Sequence, residues 1–281
     1  MNTLLQETDN IRVLHLTGDY NAGHIAGALN APYARFRGPA SNAGQLPPVS
    51  ELQTLVSELG LYADTPVVLV HQGSNASDMG AATRVYWTLK SLGLQHLAIL
   101  NGGLQNWREA SLPLTQTPAT VTPSSFQPQW QDTWRIATAE LETQIHQAPL
   151  NLVDARPLAF YLGQQATAAR PGTLPGADNL SYETWFDGSR LKPLAELQGL
   201  FASHLPAADA APVSFCNTGH WASINWFVMS ELAGIPNTRL YAESMVEWAQ
   251  VPRPMDNQPG RLAHYWAMTS YWLRSLTDWF H

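Results

Sequence analysis

Gly27-Ala28-Leu29-Asn30-Ala31-Pro32-Tyr33 returns, altered but in the same order, as Gly176-Ala177-Asp178-Asn179-Leu180-Ser181-Tyr182. Further along each half a second stretch repeats. Ile99-Leu100-Asn101-Gly102-Gly103-Leu104-Gln105-Asn106-Trp107 answers to Leu240-Tyr241-Ala242-Glu243-Ser244-Met245-Val246-Glu247-Trp248. Two long copies of one pattern mean two similar domains rather than a solenoid of short repeats. A chain of 281 residues has room for both.

Between these landmarks each half reads as strand, loop, helix. Pro66-Val67-Val68-Leu69-Val70 is a short apolar run, the pattern of a buried strand, and Ala81 to Leu92 follows as a helix stopped by Gly93. In the second half Pro212-Val213-Ser214-Phe215 is the strand, and Ala222 to Ala233 the helix stopped by Gly234. Strands alternating with helices predict an α/β fold in each half, with a central, mainly parallel sheet covered on both faces. Leu114 to Pro123 is rich in Thr and Pro and has no helical period, so it reads as an extended linker. The expected layout is a first domain over residues 1–115, a linker over 116–133 and a second domain over 134–281. A cleft between two such domains is a natural ligand site. From Leu262 to Phe280 apolar residues recur at helical spacing, predicting a C-terminal helix docked on its own protein or offered as a contact surface.

Composition narrows the functions. The formal net charge is −7 and no run of Lys and Arg exists, so nucleic acid and anionic membrane surfaces are not expected partners. The nine His are scattered and the single Cys allows neither a disulfide nor a Cys-rich metal centre. Met1 to Asp9 has no basic start or apolar core of a signal peptide, and no apolar stretch is long enough to span a membrane. A cytoplasmic, reduced protein, monomeric by default, is expected. The 11 Trp predict a large buried or interfacial aromatic surface.

The single cysteine, Cys216, falls at the carboxyl end of a predicted central strand, where open α/β sheets bind ligands. Asn217-Thr218-Gly219-His220-Trp221 then leads into a helix. A tight turn there directs several backbone N–H groups at one point, backed by the positive helix end, which is a setting for anions and for a reactive thiolate. A cysteine at a strand end is also an ordinary small buried hydrophobe. The repeat bears on that choice. The first half has His71 at the corresponding place, followed by Gln72 to Asp78, a loop about four residues longer. One half carries a compact cysteine loop and the other no nucleophile.

These residues resemble the tandem-domain rhodanese and 3-mercaptopyruvate sulfurtransferase family over nearly the whole chain. Gly23-His24-Ile25-Ala26-Gly27-Ala28 is close to its GHIPGA signature, and Thr173-Leu174-Pro175-Gly176-Ala177 is a weaker copy. Leu152-Val153-Asp154-Ala155-Arg156 resembles its LVDAR strand, and Asn101-Gly102-Gly103 with Trp107 its NGGxxxW. The resemblance implies a ping-pong sulfur transfer without a metal or organic cofactor. Cys216 takes the outer sulfur of thiosulfate or 3-mercaptopyruvate as a persulfide, and a thiophile such as cyanide or a thiol removes it. The first domain would be catalytically inactive. Asn217, Thr218, Gly219, His220 and Trp221 would form the substrate loop.

Departures bear on the donor. Trp221 stands where many single-domain relatives end the loop with arginine, and Phe160 where an arginine follows LVDAR. Thr218 keeps a hydroxyl where the mercaptopyruvate loop has serine. His220 is the one loop side chain able to become cationic. Arg170 matches a second substrate arginine of mercaptopyruvate enzymes, and Arg156 is either a donor contact or a structural ion-pair partner. His24 and Asp154 read as structural. A phosphatase of the same fold needs Cys-x5-Arg, and the sixth residue after Cys216 is Ala222. A non-catalytic persulfide relay or binding module is the remaining alternative.

Overall fold

The computed structural model describes residues 11–147, 150–205 and 211–259. The predicted C-terminal helix, Leu262 to Phe280, lies outside them. In the first half β1 (Arg12–His15), β2 (Leu29–Asn30), helix α1 (Val49–Glu58), β3 (Val67–Val70), α2 (Met79–Ser91), β4 (Leu97–Ile99) and α3 (Gly103–Glu109) follow in order. The second half runs α4 (Thr138–Ile145), β5 (Leu152–Asp154), α5 (Leu158–Tyr161), β6 (Asp178–Asn179), β7 (Phe186–Asp187), β8 (Arg190–Leu191), α6 (Leu194–His204), β9 (Val213–Phe215), α7 (His220–Phe227), β10 (Arg239–Leu240) and α8 (Ser244–Trp248).

The two sheets have one topology. Their strand orders are β2-β1-β3-β4 and β6-β5-β9-β10, with every pair parallel. Val13 pairs with Val68 and Val153 with Ser214 at the same place in each central pair. Runs such as Val-Val-Leu-Val suit strands covered on both faces. On one face of the first sheet Leu14, Val67 and Leu69 pack against Leu52 and Val56 of α1 and Val85 and Leu89 of α2. The other face buries Val13 and Val70 under Leu104 and Trp107 of α3. The second sheet repeats this with Trp185, Leu197 and Ile224 on one side and Tyr241 and Trp248 on the other. The repeat extends to single bonds: Trp107 Nε1 donates to the Pro113 carbonyl and Trp248 Nε1 to the Pro254 carbonyl, each at 2.9 Å.

Helix boundaries shift from those predicted. Helix α2 begins at Met79 because Asn75 caps the preceding turn through Asp78 N–H at 3.2 Å and the helix continues from it. Helix α7 begins at His220, directly after Gly219 at φ 70. It gives way at Val228 to a π-helical turn, closed by Ala233 N–H on the Val228 carbonyl at 2.9 Å, so its last predicted residues are not α-helical. Gly93 (φ 101) and Gly234 (φ 68) end their helices in a conformation that glycine adopts without strain.

Residues 116–131 contain no helix or strand, and they lie along the first domain. Ser124 N–H bonds the Ser57 carbonyl at 2.8 Å, Gln129 N–H the Leu92 carbonyl at 3.0 Å, and Phe126 is buried in the first core. The halves meet through α2 and α7. Helix α2 is buried nearly all round, so one face serves its own sheet and the other the partner domain. Thr83 and Ser223 share a hydrogen bond of 2.7 Å across that interface, Trp87 packs with Trp226, and Lys90 pairs with Glu231 at 2.7 Å.

Candidate functional site

Cys216 follows the last residue of β9, is buried at 1% exposure and lines a cavity of about 260 Å³. Arg37 and Ser77 of the first domain line that cavity together with Thr167, Cys216, Asn217, Thr218, His220 and Trp221 of the second. The site is therefore built between the domains. The sequence pattern points to the loop residues, but Arg37, Ser77 and Thr167 are found only in the folded chain.

The loop turns sharply over residues 216–219. Gly219 adopts φ 70, and a Cβ there would strike the Ala242 carbonyl and the Arg84 guanidinium. Only glycine satisfies both the dihedral and the close approach. Cys216 N–H donates to Ser244 Oγ at 3.1 Å, while the carbonyls of Cys216 and Asn217 accept from Met245 and Val246 N–H at 3.1 and 2.9 Å. The N–H groups of Asn217 to Trp221 donate to no backbone or side-chain acceptor among the described residues. Five such donors at the start of a helix are a chemical setting for an anion.

Each predicted side chain takes a definite place. Arg156 is buried and forms a two-pronged pair with Asp154, Nε to Oδ1 at 2.9 Å and Nη2 to Oδ2 at 2.6 Å. Its Nη2 also reaches the Gly172 carbonyl and its Nη1 the Asn217 side-chain oxygen at 3.3 Å. Arg156 thus props the loop from behind. Arg170 is not brought to the cavity. Its three guanidinium nitrogens donate to the carbonyls of Ala249, Val251 and Arg253, which fasten the chain after α8. Arg170 is not among the residues that line the cavity, and it holds backbone in place. His24 is structural, with Nδ1 at 2.8 Å from the Tyr20 carbonyl and Nε2 at 3.1 Å from that of Thr117.

His220 does not supply the positive charge that its place in the loop allows. Burial, followed by the charge of Arg37, lowers its pKa to about 4. Its Nε2 lies 2.8 Å from the Ser77 carbonyl, so this nitrogen carries the proton, and Nδ1 accepts from the Tyr33 hydroxyl at 3.0 Å. A neutral ring satisfies both contacts. Gly80 lies so close that a Cβ would come within 2.6 Å of the ring. Trp221 and Phe160, standing where arginines were expected, meet edge-to-face at 6.0 Å, and Trp221 stacks on Tyr182 at 5.0 Å. Trp221 Nε1 donates to Ser77 Oγ at 2.7 Å. An aromatic wall thus replaces two guanidinium groups.

The cations come from the first domain. Arg37 Nη2 donates to the Thr218 carbonyl at 3.0 Å, Nη1 to the Tyr33 hydroxyl, and the guanidinium lies 5.0 Å over the Tyr33 ring. Arg84 is fully buried beneath Gly219, bonded to the Gly44 carbonyl at 2.8 Å and the Ala242 carbonyl at 3.4 Å. Burial lowers its pKa to about 10, which leaves it a cation at neutral pH. At the matching place in the first sheet His71 is fully buried, both ring nitrogens lack partners among the described residues, and burial lowers its pKa to about 4. Residues 71–78 form the longer loop there, and its Ser77 closes over the second domain's loop.

A family model described as the rhodanese-like domain matches residues 12–110 and again 137–251. A thiosulfate sulfurtransferase of Pseudomonas aeruginosa is 31% identical over 241 residues, 83% of this chain and 85% of that one. A 3-mercaptopyruvate sulfurtransferase of Escherichia coli K12 is 24% identical over 82% of each chain. Among solved structures, the anaerobic ergothioneine biosynthesis enzyme of Chlorobium limicola superposes with a TM-score of 0.78. At 22% identity, over 92% of this chain and 69% of that one, this likeness shows the fold alone. Two matched domains with one strand order, joined across a cysteine loop, place this chain in the rhodanese family.

Proposed function

We propose that this protein is a sulfurtransferase whose second domain moves a sulfane sulfur from thiosulfate, with 3-mercaptopyruvate as the second donor, to a thiophilic acceptor. The observation that carries this reading is that Cys216 lines an inter-domain cavity and opens a loop whose N–H groups are unpartnered among the described residues. Sequence relatives bearing both sulfurtransferase names support it.

The steps balance without a cofactor. The Cys216 thiolate attacks the outer sulfur of thiosulfate, forming a new S–S bond. The old S–S bond breaks, and its electron pair leaves with sulfite; with 3-mercaptopyruvate the C–S bond breaks instead, and its electron pair leaves on the enolate of pyruvate, which takes up the thiol proton. The persulfide's terminal sulfur rests against the N–H groups of Asn217 to Trp221, a preorganised cradle for its charge. Cyanide or a thiolate then attacks that sulfur, and the Cys216 thiolate departs. Arg156 serves by holding Asn217, and Asp154 and Gly172 by holding Arg156.

The first domain, with His71 in place of the nucleophile, is silent in this scheme. A lone cysteine that must stay reduced suits the cytoplasm. No helix among the described residues is long and apolar enough to cross a membrane.

Intact mass after incubation with thiosulfate tests the reading. The expected result is a gain of one sulfur atom, lost in Cys216→Ser, together with catalytic release of sulfite when cyanide is present. A stable persulfide without turnover would mean a relay instead, and no adduct from either donor would exclude sulfur transfer.

A further inference from the structure

Arg37 reaches the cavity from the first domain, just after a short 3₁₀ turn over Tyr33–Phe36. A guanidinium has five N–H donors. Arg37 spends one on the Ala43 carbonyl, one on the Tyr33 hydroxyl and one on the Thr218 carbonyl. Two donors remain. All three acceptors are neutral, and no carboxylate lies within ion-pair distance of Arg37 among the described residues. Arg35, two residues earlier, is paired with Glu58, and Arg156 with Asp154. The positive charge of Arg37 is therefore uncompensated. Among the described residues that line the cavity, Arg37 is the one cation at neutral pH, because His220 is held neutral.

We propose that Arg37 reads the charged end of the sulfur donor. The sulfonate of thiosulfate or the carboxylate of 3-mercaptopyruvate would take its two remaining N–H groups while the sulfur to be transferred, outer sulfur or thiol, lies at Cys216. The assignment rests on the sulfur-transfer reading and adds the residue that selects an anionic donor. Three hydrogen bonds and the Tyr33 ring hold the guanidinium before any donor arrives, so little is lost in ordering it. Its bond to the Thr218 carbonyl ties it to the loop that carries the sulfur. Nucleophile and charge are thus supplied by different domains: Trp221 and Phe160 leave the second domain without a cation at the cavity, and the first provides it.

Cys216 is the only cysteine of the chain, so alkylation reports on it alone. Iodoacetate and iodoacetamide are similar in size and differ in charge. In Arg37→Gln the ratio of their rates should fall about 10-fold, with the iodoacetamide rate changed less than about twofold, and the KM for thiosulfate should rise about 10- to 100-fold. Arg37→Lys should recover much of the alkylation ratio but less of the KM, because it keeps the charge and loses the fork. An alkylation ratio equal to wild type in Arg37→Gln overturns the proposal. Should that variant fold poorly, the wild type alone decides: the ratio must fall as ionic strength rises, and a ratio indifferent to salt overturns the proposal equally. The two readings fail separately. A wild type that takes no sulfur from either donor removes the transfer reading and the donor assignment with it, whereas normal transfer with an unaffected Arg37→Gln removes Arg37 alone.

Discussion

The Ser244 hydroxyl accepts the Cys216 N–H at 3.1 Å and donates to the Tyr241 carbonyl at 2.7 Å. Ser244 occupies the place of Gly103 in the first domain, and both have left-handed backbones, φ 53 and φ 59. Around them the bonding is the same: Leu104 N–H meets the His71 carbonyl just as Met245 N–H meets that of Cys216. The second domain therefore keeps a serine where glycine would be unstrained, and the hydroxyl fixes the backbone of Cys216.

Ser244→Ala should lower stability by about 1–2 kcal/mol, since it keeps the strain and leaves a buried N–H without a partner. Ser244→Gly relieves about 1 kcal/mol of that strain and should lie nearer to wild type in stability. Both should slow sulfur loading by a similar factor, because both release the Cys216 backbone. Urea denaturation and single-turnover sulfite release measure the two effects. Loading at the wild-type rate in Ser244→Gly would remove the hydroxyl from the account.

Gly80 offers a test of how the domains fit. It lies in α2, where alanine ordinarily stabilises a helix by about 0.5–1 kcal/mol. A Cβ here meets the His220 ring at 2.6 Å. Gly80→Ala should therefore cost about 1–3 kcal/mol from overpacking and displace the loop after Cys216. Thermal melting and kcat/KM for thiosulfate are both expected to fall. A stabilised variant of unchanged activity would show that the ring yields freely.

Acid should weaken the fold through His71 and His220. Both have pKa values of about 4, against 6.5 for a free side chain, with burial the main cause. Between those values the unfolded chain binds more protons than the folded one, so stability rises with pH. The contribution is complete above pH 6.5 and is lost as pH falls toward 4. For the fully buried His71 it amounts to at most about 3 kcal/mol. Denaturation at a series of pH values should show a shallower slope in His71→Gln than in wild type. Between pH 6 and 8 the His220 ring does not titrate, so His220→Gln should not change the shape of the kcat/KM profile. A wild-type limb near pH 6.5 that this variant removes would restore a cationic role.

Much of the fold was legible before any coordinate. The repeat gives two copies, and apolar runs such as Val67 to Val70 followed by glycine-stopped helices give the α/β class, because these signals are local in the chain. Cys216 was legible too, since a strand end, a tight turn and a helix start lie in consecutive residues. Arg37 was not, since 179 positions separate it from Cys216 and nothing near it in the chain marks it out. The state of His220 also had to wait, because its pKa depends on what buries it, and the Ser77 carbonyl, the Tyr33 hydroxyl and the Arg37 charge all come from the other domain. Arg170 shows the same limit from the other side: a suitable side chain at a suitable spacing is held outside the cavity, on three carbonyls of its own domain. By itself the sequence determined the two domains and the place of Cys216 at a strand end before a tight turn, both written in neighbouring residues. The cation that shares its cavity, Arg37, was decided only by the tertiary structure, because electrostatics depends on distance in space and the docking of α2 on α7 brings the two domains together.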